Sequence, residues 1–112
     1  MRHTDDSDGA LSVLRIGRQS LLVVSGAPGG RHAVLLDRTL QRLAEARCGV
    51  TVELGGITTV AVPVLEALVR GRRRHAESGL TFRIAPSAAI PEHCLRLLGL
   101  VGLSPIGVAP ER

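Results

Sequence analysis

The sequence predicts one α/β domain: a mixed sheet of about four to five strands with three or more helices packed on it. Three observations lead there. The hydrophobic period alternates between two and about 3.6 along the chain, in the order β-β-α-β-α-β-α. Clusters of Gly, Pro and Ser separate the periodic segments. Each strand after the opening pair is followed by a helical stretch long enough to cross over to its next neighbour.

The elements follow in order. Residues 1–10, MRHTDDSDGA, read as a disordered polar leader, and 11–112 as the single domain. LSVLRIG (11–17) and SLLVVSG (20–26) read as strands of a hairpin turning at Arg18-Gln19. GAPGGRH (26–32) is a loop by its glycines and proline. From Ala33, Leu36, Leu40, Leu43 and Ala44 recur at helical spacing, opposite Asp37, Arg38, Gln41, Arg42 and Glu45. Gly49 stands where a helix cap is expected. VTVEL (50–54) is the clearest strand, and Gly55-Gly56 mark its end. ITTVAVP (57–63) continues extended to Pro63, which is tolerated in the first turn of a second helix. Leu65, Leu68, Val69, Arg72 and Ala76 share a face of that helix, and Ser78-Gly79 closes it. LTFRIA (80–85) alternates as a strand. Ser87 is the expected N-cap of a third helix with Ile90, Cys94, Leu97 and Leu98 inside and Gly99 as its stop. One short edge strand around Ile106–Val108 is the most that the proline-containing tail allows.

Composition narrows the function classes. Of 112 residues, 45% are hydrophobic, yet there is one Phe and no Trp or Tyr, so the core is aliphatic. Aromatic platforms for stacking single-stranded bases are missing. All 14 basic residues are Arg, a bias that points to a GC-rich genome. The net charge of +4 suits an acidic partner without demanding one. No stretch resembles a signal peptide or a membrane span, so the cytoplasm is the expected location.

The order of elements and several local strings resemble the STAS family of anti-sigma factor antagonists. Family members carry a segment like L-S-G-V-T-F-I-D-S-S-G-L-G-A-L, where this chain has residues 54–68 and keeps Leu54, Gly56, Thr58, Leu65, Ala67 and Leu68. Downstream, RGRRRHAESG, LTFRIAPS and Leu95-Arg96-Leu97-Leu98-Gly99-Leu100 follow the family's Arg-rich helix, its strand and its closing helix. The resemblance runs over roughly residues 11–103. It implies a regulatory protein without turnover that binds a kinase-like anti-sigma factor and so frees a sigma factor.

The departures are specific. Where phospho-switched members carry Asp-Ser-Ser-Gly at the start of the second helix, this chain has Ala61, Val62, Pro63 and Val64. Pro63 occupies the phosphoserine position and has no hydroxyl. A phosphate adds about −1.5 to −2 charges, and an apolar patch cannot be switched that way. The resemblance places partner binding at Thr59, Ala61, Val62, Pro63, Val64, Leu65 and Glu66, with the 26–32 loop, notably Arg31 and His32, beside it. The patch docks constitutively if exposed and is a repacked helix start if buried.

Other features have plainer readings. Thr58 and Thr59 are the nearest hydroxyls to the lost serine, yet as β-branched residues they are expected to be half-buried strand positions. Arg70, Arg72, Arg73 and Arg74 read as a solvated helix face before they read as a nucleic-acid patch, with the Arg72 stem lying along apolar surface. Cys48 and Cys94 read as small buried hydrophobes rather than a redox pair. His32, His75 and His93 match no zinc spacing, and neither metal nor cofactor is expected. No nucleophile–base motif is visible, so the expectation is not an enzyme. Two other readings stay open: a cytoplasmic STAS-type subunit of a lipid-transporting ABC complex, and a basic module for nucleic acid or anionic lipid.

Overall fold

The computed structural model describes residues 9–104. Seven elements follow one another: β1 (Gly9–Ile16), β2 (Gln19–Gly26), α1 (Gly30–Glu45), β3 (Gly49–Ile57), α2 (Val62–Glu77), β4 (Phe82–Ile84) and α3 (Glu92–Leu100). The expected order is what forms. The four strands lie side by side in chain order, with β1 antiparallel to β2, and β2, β3 and β4 parallel. The strand expected around Ile106–Val108 lies outside the described residues.

β1 and β2 form a hairpin as expected, but its turn is Gly17-Arg18, one residue earlier than Arg18-Gln19: Gln19 already pairs with Ile16, and Gly17 takes the left-handed position at φ +62°. β1 begins at Gly9, inside the segment read as leader. Pleating splits the sheet into two faces. Leu22, Val24, Val50, Val52, Leu54 and Ile84 point to the core, where they meet Leu36 and Leu40 of α1, Leu68 of α2 and Leu98 of α3. Ser12, Leu14, Ile16, Leu21, Val23, Thr51, Glu53 and Arg83 share the opposite face by register.

Several boundaries differ from the sequence expectation, each for a local reason. Gly55-Gly56 do not end β3. The register with β2 shifts between Val23 and Ser25, so β3 holds one extra residue and carries on to Ile57. The Glu53 carboxylate accepts the Gly55 N–H at 3.2 Å, which satisfies a donor displaced from the ladder. ITTVAVP is therefore split: Ile57 ends β3, Ala61 caps α2, and Val62 and Pro63 already belong to the helix.

Helix ends obey one rule. α1 closes with a Schellman motif in which Cys48 N donates to Leu43 O at 2.9 Å and Arg47 N to Ala44 O at 3.0 Å. The left-handed position is Arg47, at φ +58°, so Gly49 is not the cap and belongs to β3. α2 closes the same way through Gly79, as expected. α3 closes through Gly102 rather than Gly99, which lies inside its last turn. Ser87 does not cap α3; its hydroxyl accepts the Ala89 N–H in a local turn, and the helix starts after Pro91. Pro91 disfavours helical geometry at Ile90, which delays the start.

The Arg47 conformation gives the first prediction. A non-glycine residue in left-handed geometry costs about 1–2 kcal/mol, partly offset by the greater unfolded-state entropy of Gly. Arg47→Gly should therefore stabilise the protein by roughly 1 kcal/mol, read as a higher urea midpoint at unchanged slope. An unchanged or lowered midpoint would remove strain from the account of this turn.

The buried stripe of α2 also differs. Leu65 and Leu68 are buried as expected, but Ala76 is exposed and Val69 and Arg72 are only half-buried. Val64, Gly71 and His75 fill the stripe instead. Arg72 donates to the Gly102 carbonyl, tying α2 to the turn after α3.

Candidate functional site: the rim at the carboxyl ends of the parallel strands

Parallel pairing places the carboxyl ends of β2, β3 and β4 along one rim, where the connections 27–29, 58–61 and 85–91 emerge. Open α/β sheets use this rim for recognition. Two of the connections are joined directly: Thr58 N donates to Gly26 O at 2.7 Å, beside the Gly26–Ile57 register pair. The extra residue in β3 makes this junction possible. The start of the 26–32 loop therefore lies beside the connection that leads into α2.

The helical period sorts the Ala61–Glu66 segment. Val62 is 64% exposed, and Pro63 and Glu66 are exposed as well. Ala61 is half-buried, while Val64 and Leu65 turn inward and join the core. The two alternatives for the patch therefore divide it, and Val64 and Leu65 are not surface residues. Pro63 occupies the first turn of the helix, where its missing N–H leaves no gap in the ladder.

Thr58 and Thr59 correct a second expectation. Both are exposed, because β3 has ended at Ile57 and neither lies in a strand. Both precede the α2 N-terminus by a few residues. His32 corrects a third. It is buried, and its Nδ1 accepts the Gly29 N–H at 2.9 Å, so it braces the start of α1 and is not a contact residue. Arg31 is exposed.

Between α1 and α2 runs an open groove of about 320 Å³, a feature that sequence reasoning missed. Gly30, Val34, Asp37 and Arg38 line one wall, and Pro63, Glu66 and Arg70 the other. The two helices approach closely at Gly71, where Leu40 packs over the glycine. Val34, 58% exposed, faces solvent on the α1 wall. An Arg70–Asp37 ion pair at 3.1 Å crosses the groove. Neither α1 nor α2 has an acidic residue of its own in its first turn.

The arginine run does not form a single patch. Arg70 engages Asp37 and Arg72 engages Gly102 O, Arg74 is half-buried, and Arg73 is exposed. Helical rotation spreads consecutive residues around the axis. Cys48 and Cys94 are both free and fully buried, and burial pushes the Cys94 thiol above its ordinary range. His75 is buried between the Cys48 and Gly71 carbonyls. Among the described residues, no helix is long and apolar enough to cross a membrane.

A mixed four-stranded sheet in this order, with three helices, defines a STAS-type fold. The chain is similar in structure to a crystal structure of an anti-sigma factor antagonist from Mycobacterium paratuberculosis. The TM-score is 0.70 at 14% sequence identity, covering 91% of this chain and 87% of the other. No protein-family model and no curated protein matches the sequence.

Proposed function

We propose that this chain is a non-catalytic regulatory protein of the cytoplasm, and that it controls transcription by binding a serine-kinase-type anti-sigma factor. The observation that carries the reading is the exposed Val62-Pro63 pair in the first turn of α2. The family resemblance aligns Pro63 with the serine that phospho-switched members carry. The likeness to a solved anti-sigma factor antagonist supports the general kind of function.

The docking surface comprises Thr59, Ala61, Val62, Pro63 and Glu66, with the α1 wall of the groove beside them. Val64 and Leu65 act from beneath, by fixing the helix start against the core. Exposed apolar side chains gain by burial against a partner, and that gain does not depend on a phosphate. The partner is therefore bound constitutively with respect to this position, and control comes from the amounts of the two proteins.

A second reading draws on the same surface. Obligate interfaces are more hydrophobic than transient ones, so exposed Val34, Val62 and Pro63 also suit a permanent subunit contact in a lipid-transporting ABC complex. A basic module for nucleic acid is disfavoured, because Arg70, Arg72, Arg73 and Arg74 are spread around α2 and two of them have partners within the chain.

Affinity capture from the native cell separates these readings. Recovery of a kinase-like anti-sigma factor is the expected outcome. Recovery of a permease and an ATPase in its place would assign the chain to a transporter.

A further inference from the structure

The hairpin edge carries a feature that docking at α2 does not use. Among the described residues, the sheet ends on two free edges, and they differ. β4 is only 3 residues long, a length that offers little to pair with. β1 is 8 residues long, GALSVLRI, with no Pro, no Lys and no acidic residue. Such an edge lacks the usual devices that block strand addition. It is also apolar: Val13 is 44%, Leu14 58% and Ile16 70% exposed. Leu14 and Ile16 lie on the open face of the sheet, Leu14 opposite Leu21 and Ile16 opposite Gln19 of β2. An unpaired ladder and an apolar strip thus occur at one place.

We propose that two copies of this chain join edge to edge through β1, forming one continuous sheet across a two-fold axis perpendicular to it. Pleating fixes the register. Such an axis keeps the helix-covered faces of both copies on the same side, so residues directly opposite must point to the same face. Odd positions then pair with odd, and even with even. Two such registers, centred on Ser12 or on Val13, overlap equally. Only the second brings Ile16, the most exposed of the strand's side chains, into the ladder.

In that register Val13 faces Val13 of the second copy. Leu14 lies opposite Ser12 and Ile16 opposite Ala10, so a large side chain meets a small one in each case. Arg15, the only charged residue of β1, lies opposite Leu11, and the two guanidiniums sit at opposite ends of the ladder. No like charges oppose, and the stem of Arg15 covers Leu11. A second copy therefore fits this edge in shape and charge. β1 lies at the far end of the sheet from β4, and α2 contacts β4, so the α2 surface stays open in the dimer.

A ladder roughly 24 Å long on a sheet roughly 10 Å thick covers roughly 240 Å² on each copy, about 480 Å² in all, which is below the roughly 1,000 Å² expected of a stable interface. The dimer is thus weak and reversible.

Sedimentation equilibrium on the full chain tests this between about 1 µM and about 1 mM. The expected result is a mass that doubles across that range. Val13→Asp, which sets two like charges on the axis, should hold the monomer mass throughout, with an unchanged circular dichroism spectrum. Register is read independently with Val13→Cys and oxidised glutathione. That variant should form a covalent dimer on a non-reducing gel, while Leu14→Cys, opposite a serine, should not. A wild-type chain that stays monomeric at about 1 mM, one that grows past the dimer, or cross-linking through Leu14→Cys but not Val13→Cys would overturn the proposal.

Discussion

Replacing His75 with Leu is expected to destabilise the protein by about 2 kcal/mol, although Leu matches the site in apolar character and nearly in size. His75 is 0% exposed and packs edge-on against Phe82, with ring centroids 5.8 Å apart. Its Nε2 lies 3.1 Å from the Cys48 carbonyl, and its Nδ1 lies 3.2 Å from the Gly71 carbonyl. The two carbonyls are not equivalent. Gly71 O is inside α2 and has the helical N–H four residues on. Cys48 O lies between the end of α1 and the start of β3, outside both ladders, and His75 supplies its donor. Leucine would leave that buried oxygen unpaired, at a cost of about 1–3 kcal/mol. Urea unfolding measures the loss as a lower midpoint at unchanged slope. A loss below about 0.5 kcal/mol would mean that the carbonyl finds water or another donor, and the tie between α2 and the α1–β3 connection would lose its importance.

Gly71→Ala is the second large effect, and its sign runs against helix propensity. Alanine in a helix interior is favoured over Gly by about 1 kcal/mol. Here a Cβ would lie 2.5 Å from Leu40 Cδ1 and 3.3 Å from Leu40 Cβ. Leu40 is fully buried, so its side chain has little room to swing aside. Overpacking of this kind costs about 1–3 kcal/mol, and the balance should fall at about 1 kcal/mol of destabilisation, increasing for Gly71→Val. A double-mutant cycle isolates the contact. Leu40→Ala alone should cost about 2–5 kcal/mol, and Gly71→Ala added to it should cost nothing or regain stability. Additive losses would show that Leu40 is not what the new methyl meets.

These sites also mark where the sequence stops being legible. The element order was readable because each period is local. Leu36, Leu40 and Leu43 of α1 are buried as their spacing requires. The second half of the α2 stripe lies one residue earlier than its spacing suggests, at Gly71 and His75 in place of Arg72 and Ala76, because neither Gly71 nor His75 carries a hydrophobic signal. One is buried by a neighbour's size and the other by a carbonyl that belongs to a distant segment. Strand and helix ends failed at Gly55, Gly49 and Gly99 for a related reason. Glycine marks backbone freedom, but which glycine is used depends on tertiary register, and at Arg47 an arginine took the glycine position. The docking segment was locatable from Ala61 to Glu66, yet which of its side chains reach solvent followed only from the helix phase. The groove was not locatable at all, since its walls are 33 residues apart at Asp37 and Arg70.

The central claim is that partner binding runs through the exposed first turn of α2, and Pro63→Asp tests it most directly. Asp in the first turn of a helix suits the dipole, and Pro63 is exposed, so the fold should be kept. Capture from the native cell should recover a kinase-like anti-sigma factor with the wild-type chain and lose it with Pro63→Asp, while the variant's thermal unfolding is unchanged. Undiminished recovery of the same partner by a folded Pro63→Asp variant would contradict the claim and move the docking surface elsewhere on the molecule.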